Sequence, residues 1–169
     1  MIRWYRPRKW QPKKMPHLEA SFKLIGPRGP CFFRAVALVL DVPQAKLMVG
    51  TFRAATPEEQ AASPEVSPVP FIHAWTEIHG AVFAPTTYES CNAQLVPFDL
   101  VDYYQRNGTR DVVCMDRARL LRLSRKYGLD KYILYGAPLE GNLKFASVIL
   151  DELGVRHRMS TDNGLLPGE

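Results

Sequence analysis

The sequence has little cysteine: three residues in 169, widely separated as Cys31, Cys91 and Cys114. That is too few for a disulfide framework, and the spacing matches no structural zinc site. No stretch approaches the ~20 apolar residues that cross a bilayer, so no membrane span is expected. The N-terminus lacks the apolar segment of a secretory signal, and a cytoplasmic setting is the expectation. There is no G-x-x-x-x-G-K loop to cradle phosphates and no cluster of metal-ligand residues. Neither a nucleotide cofactor nor a catalytic metal is therefore expected. Core material, by contrast, is plentiful, with 46% of residues hydrophobic and 11% aromatic. Such a chain is too apolar for wholesale disorder and has the length of one compact domain, or of one domain with a sizeable appendage.

The net charge of +5 is unevenly spread. Residues 1–30 hold eight Lys and Arg against Glu19 alone, whereas residues 31–100 hold three bases against seven acids. The basic excess belongs to an N-terminal arm, residues 1–18, where Trp4, Tyr5 and Trp10 interleave with cations. Pro7, Pro12 and Pro16 forbid a continuous helix there and predict an extended arm. Residues 1–14 can lie on nucleic acid, cations on phosphates and rings on bases. They can equally pack their rings on the domain with the charges in water, the plainer reading where no recognition motif accompanies them.

Further along, Phe22 to Ile25 reads as a short strand. The apolar run from Cys31 to Leu40 reads as a helix, with Pro30 at its start and Asp41 to Pro43 as its stop. Ala45 to Phe52 reads as a strand and 54–70 as a surface loop. Phe71–Ile78 and Ala81–Tyr88 read as a hairpin turning at His79-Gly80. Beyond Pro97 the pattern turns helical. Residues 98–106 form a helix stopped by Asn107-Gly108, and 116–126 a helix stopped by Gly128. Tyr132 to Tyr135 is a strand candidate, Asn142 caps a last helix ending at Gly154, and the final dozen residues are expected to be loose.

Two residues carry candidate chemistry. Cys31 opens an apolar helix, where unpaired backbone N–H groups and the positive end of the helix dipole favour a thiolate. Its pKa is expected to fall, and thiolates attack carbonyl carbons. His73 lies near the start of a strand in which His73, Trp75 and Glu77 share one face. A thiol and an imidazole in contact form a nucleophile–base pair. Trp75, on the same face, is the candidate substrate contact. Cys91 and Cys114 have no partner motif and are expected to be buried structural residues.

The stretches Cys31-Phe-Phe-Arg34-Ala-Val-Ala-Leu38, Ala45-Lys-Leu-Met-Val-Gly50 and Pro70-Phe71-Ile-His73-Ala-Trp75-Thr-Glu77-Ile-His-Gly80 together resemble the transglutaminase-like (papain-like) cysteine peptidase superfamily. Within it they are most similar to the lasso-peptide B-type leader peptidases. The resemblance spans roughly residues 20–90, with the His-Ala-Trp-x-Glu hairpin its most specific word. It implies an α+β fold: a papain/transglutaminase-like core over 19–97, in which an N-terminal Cys-bearing helix packs on a small antiparallel sheet. A helical C-terminal extension, 98–169, would pack on that core. Cys31 would be the nucleophile and His73 the general base, acting on peptide bonds or glutamine-type amides. Members of the lasso branch work with a leader-binding domain. The N-terminal stretch here is too short to be one, so any such substrate-delivering partner would be a separate protein, and lasso-peptide maturation is not assigned as the role.

The superfamily's third residue is an acid just after the hairpin, in an Asp-Pro-Thr-like sequence. Here that word reads Ala84-Pro85-Thr86, so the acid is replaced by Ala84. Glu77 lies four residues along the strand from His73, ~13 Å away and too far to bond it. A two-residue turn at His79-Gly80 sets Ile78 opposite Ala81 and His73 opposite Thr86. The Thr86 hydroxyl can then accept the imidazole N–H and orient the ring without supplying charge. Glu89, Asn92 and Asp99 are further candidates that nothing in the sequence ranks. The expected function is a thiol-dependent peptidase or acyl/amide transferase acting on a peptide or protein. The alternatives are a catalytically degenerate relative that binds peptides or proteins, and a basic protein that associates with nucleic acid.

Overall fold

The computed structural model describes residues 15–25, 31–63, 66–83, 97–131, 139–159 and 165–168. The basic arm through residue 14, Ala84, Thr86, Glu89, Cys91, Asn92 and the strand candidate at 132–135 lie outside the described residues.

The fold is α+β, an antiparallel sheet with helices against it. Helices α1 (Pro16–Ile25) and α2 (Cys31–Asp41) precede strand β1 (Lys46–Phe52). A one-and-a-half-turn helix α3 (Pro57–Ala62) leads to β2 (Phe71–Ile78) and β3 (Ala81–Phe83). Then come β4 (Phe98–Asp99), α4 (Leu100–Asn107), β5 (Arg110–Asp116) and α5 (Arg117–Tyr127). The described chain closes with α6 (Leu139–Leu153) and a two-stranded ribbon of β6 (His157–Met159) and β7 (Leu165–Pro167). The main sheet runs in the order β4-β3-β2-β1-β5, with every neighbouring pair antiparallel.

Helix α2 is apolar at every position from Phe32 to Leu40 except Arg34, and all of these residues are buried. A helix of that kind is stable only inside a protein. It lies against the sheet face carrying Leu47 and Val49 of β1 and Ile72, Ala74 and Ile78 of β2, with α5 and α6 closing the same core. The opposite face carries Met48, Phe52, Trp75 and Val82 and is covered by Tyr103 of α4. Alternation along β2 thus sends Ala74 and its even-numbered neighbours to α2, and Phe71, His73, Trp75 and Glu77 to α4.

The hairpin turn is as its sequence requires. His79 and Gly80 both have positive φ (51° and 78°), as a type I′ turn demands, and Ile78 pairs with Ala81 and Thr76 with Phe83. Asp99 and Asp116 cap α4 and α5, and Gly108 and Gly128 end them in the left-handed conformation.

Other expectations fail, some for tertiary reasons and some because a local signal was missed. Phe22 to Ile25 belong to a helix, and Pro16 begins that helix rather than extending the arm. The amides of His17 and Leu18, left without intrahelical partners, both donate to the Asp41 carboxylate at the far end of α2 (3.2 and 2.9 Å). The 54–70 loop contains α3, held by a capping box between Thr56 and Glu59. The segment from 98 onward, expected to be helical, also supplies β4 and β5 to the sheet. Asn142 lies inside α6 instead of capping it; Pro138, directly before the first helical residue in sequence, is the stronger start signal. Part of the tail expected to be loose forms β7, whose Leu165 is buried in the main core.

Candidate active site

The site begins with the docking of α2. The Thr76 hydroxyl, fully buried on β2, donates to the Ala35 carbonyl (3.1 Å) and pins the helix one turn from its start. This brings Cys31 to the strand beside Ala74. The backbone N–H groups of Ala74, Phe32 and Cys31 itself all favour the thiolate. Burial outweighs them, and the Cys31 pKa is raised from the ordinary thiol value. The expectation of a lowered pKa is corrected here. A helix start stabilises a thiolate when water shares the work, whereas this sulfur is enclosed by protein even though the residue keeps partial exposure.

His73 sits one residue before Ala74, paired with Gly50 on β1. Its ring lies among aromatic side chains: Phe52 at 4.5 Å between centroids, Phe71 at 6.1 Å, and Trp75 stacked at 6.3 Å with only 15° between planes. Desolvation in this setting pushes the imidazole down to about 4. Among the described residues no hydrogen bond joins the ring to the Cys31 sulfur or to any other group. The resting pair is therefore a neutral thiol and a neutral imidazole. The strand reaches the sulfur through the Ala74 amide, and the His73 ring leaves from the face opposite α2.

Trp75 is 0% exposed, enclosed by Phe52, Tyr103 and Tyr104, and so offers no surface to a substrate. It supports His73 instead. Glu77 does not reach His73; its Oε1 accepts from the Trp75 indole N–H (3.3 Å) and the Tyr104 hydroxyl (2.7 Å). Burial and that carboxylate raise the Tyr104 phenol well above its usual range. Asp99 caps α4 through the Val101 and Asp102 amides and is spent there. Tyr104 and Phe52 were not singled out from the sequence; the adjacent pair Tyr103-Tyr104 in a short amphipathic helix was the available signal. Cys114, expected to be buried, is exposed on the edge strand β5.

Gly50 and the strand beside it shape this face. A Cβ at Gly50 would stand 2.9 Å from Trp75 Cη2 and 3.1 Å from the Arg110 carbonyl oxygen. Next to it the β1–β5 register slips, with Asp111 at φ 53° forming a bulge.

Compared with known protein families, curated proteins and solved structures, the chain matches none. Among the described residues there is no group of three or more His, Cys, Asp or Glu side chains placed to hold a metal, and no helix long and apolar enough to cross a membrane.

Proposed function

We propose that the chain is a thiol-dependent peptidase or acyl/amide transferase of papain/transglutaminase-like architecture, with Cys31 as nucleophile and His73 as general base. One observation carries this reading. The sulfur stands at the start of a buried helix, against the amide of the residue that follows His73. Attack forms a bond from Cys31 Sγ to the acyl carbon as the thiol proton passes to His73. The Ala74, Phe32 and Cys31 amides that face the sulfur are the candidate donors for the oxyanion that develops. Collapse breaks the C–N bond, and His73 returns its proton to the departing amine. Water or a second amine then releases the acyl group. Because the pair rests neutral, without a direct hydrogen bond and with the His73 ring on the sheet face away from α2, this reading requires the ring to turn toward the sulfur when substrate fills the site.

A second reading has its own support: the raised thiol and the His73 ring held among aromatics favour a peptide-binding module without turnover. The basic arm lies outside the described residues and adds nothing to either reading. Peptidyl electrophiles such as vinyl sulfones distinguish the two, with the modified cysteine mapped by mass spectrometry. Cys114 is the internal control, since it is exposed and free. The catalytic reading expects a peptidyl reagent to label Cys31 ahead of Cys114, and to lose that preference in His73→Gln. Labelling of Cys114 alone, with peptide still bound, supports the binding module.

A further inference from the structure

One carboxylate, that of Glu77, bonds the indole stacked with the His73 ring without touching that ring itself. We infer that Glu77, bonded to the Trp75 indole N–H and locked by Tyr104, is the positioning residue that supplies negative charge to His73 through the stacked indole. This rests on the reading of His73 as the general base.

The geometry runs in one line along β2. His73, Trp75 and Glu77 stand on the same face at alternate positions. The indole lies nearly parallel to the imidazole, which presents its electron-rich face to the ring that becomes a cation during thiol deprotonation. Such a face attracts cations within ~6 Å of its centroid, and the imidazole, at 6.3 Å, stands at the edge of that range. The indole N–H, at the far edge, donates to Glu77 Oε1. A carboxylate accepting that proton pushes electron density back into the indole and strengthens the attraction. Tyr104, from α4, donates to the same oxygen and packs edge-on against the indole at 88°, so the carboxylate and the ring hold one arrangement.

The arrangement answers a chemical need. An imidazolium in an aromatic enclosure is costly, and the residue that ordinarily offsets it reads as Ala84 in this sequence. The other titratable groups on this face are Tyr103 and Tyr104 from α4, Lys46 opposite Glu77 on β1, and Cys114 and Asp116 opposite Met48 and Lys46 on β5. Of these, neither Tyr103 nor Cys114 is an anion in its ordinary state, and Lys46 carries the wrong sign. Asp116 is taken up by the Arg119 amide at the start of α5, which leaves Glu77 as the carboxylate bonded into the ring cluster.

The test is Glu77→Gln, which keeps the shape and an acceptor but removes the charge, with Tyr104→Phe as a second variant that keeps the charge and removes its lock. Three readings are taken on the full chain: the His73 ring titration and the Trp75 indole N–H resonance by NMR, and the rate of Cys31 alkylation by a peptidyl vinyl sulfone at pH 7.5. Glu77→Gln is expected to lower the His73 midpoint, move the indole resonance upfield and slow Cys31 alkylation ~3- to 10-fold. That is the size one charge gives at ~13 Å through an effective dielectric of ~20 or somewhat more. Tyr104→Phe is expected to move the indole resonance and slow alkylation about twofold. A folded Glu77→Gln protein with an unchanged His73 midpoint and unchanged rate overturns the inference. If Glu77→Gln does not fold, an unmoved indole resonance and rate in Tyr104→Phe overturn it equally. Should wild-type Cys31 alkylation prove independent of His73, the catalytic reading fails by itself, while the His73 midpoint in Glu77→Gln still judges the coupling.

Discussion

Replacing His73 by Phe removes a titrating ring from the aromatic cluster while filling nearly the same space, and the consequence for stability can be worked out with its sign. In the folded protein the imidazole is held down to about 4 by burial, against 6.5 as the ordinary value. Above pH ~6.5 the ring is neutral in both folded and unfolded chains and contributes no pH dependence. Between ~6.5 and ~4 the unfolded chain binds a proton that the folded one refuses, so stability is lost as pH falls, by ~1.4 kcal/mol per pH unit. Below ~4 the folded ring also protonates and the loss levels off at ~3 kcal/mol. Urea unfolding at pH 7.5, 6, 5 and 4 on wild type and His73→Phe isolates the contribution, because the other titrating groups are common to both. The difference in unfolding free energy, wild type minus variant, should fall by roughly 2–3 kcal/mol between pH 7.5 and 4. Parallel curves would show a solvated or hydrogen-bonded ring and refute the enclosure described here.

Three further outcomes follow from the packing. Gly50→Ala should cost ~1–3 kcal/mol by urea titration and broaden the Trp75 indole resonance, because its Cβ meets both that ring and the Arg110 carbonyl; a neutral substitution contradicts the close approach. Thr76→Val should cost ~1 kcal/mol or slightly more through the lost bond to Ala35, and should change Cys31 alkylation while leaving Cys114 unaffected. Asp41→Ala strips α1 of its distant cap and of the His17 contact at 2.6 Å, with ~1–3 kcal/mol lost and faster amide exchange confined to α1; uniform exchange across α1 and α2 argues against that cap.

Much of this architecture is legible in local chemistry. The I′ turn needs two residues at positive φ, and His79-Gly80 meets that need within two positions. Helices α4 and α5 begin at an aspartate cap and end at a left-handed glycine, each signal lying beside the element it governs. The start of α2 at Cys31 is equally local. What escapes the sequence is what arrives from far along the chain. Helix α1 is capped by a carboxylate 24 positions away, so its last four residues look like a strand when read alone. Alternation places His73, Trp75 and Glu77 on one face, and it does so correctly, but it does not say that α4 closes over that face and buries Trp75. The lowered thiol pKa expected from a helix start depends on solvent, and the packing around Cys31 removes it. Ala84 and Thr86 lie outside the described residues, and among the described ones the acid coupled to His73 is Glu77, reached through an indole rather than across the hairpin.

The relation between Cys31 and His73 is measured most directly by the rate at which a peptidyl vinyl sulfone, which fills the site, alkylates Cys31 as a function of pH, site-resolved by mass spectrometry, in wild type and His73→Gln. If His73 takes the thiol proton, wild-type Cys31 reacts at least ~10-fold faster than the variant near neutrality, and the two converge only at high pH where the thiol ionises unaided. Superimposed profiles across the whole range would mean that the imidazole never receives the Cys31 proton, leaving a buried cysteine beside a packed histidine.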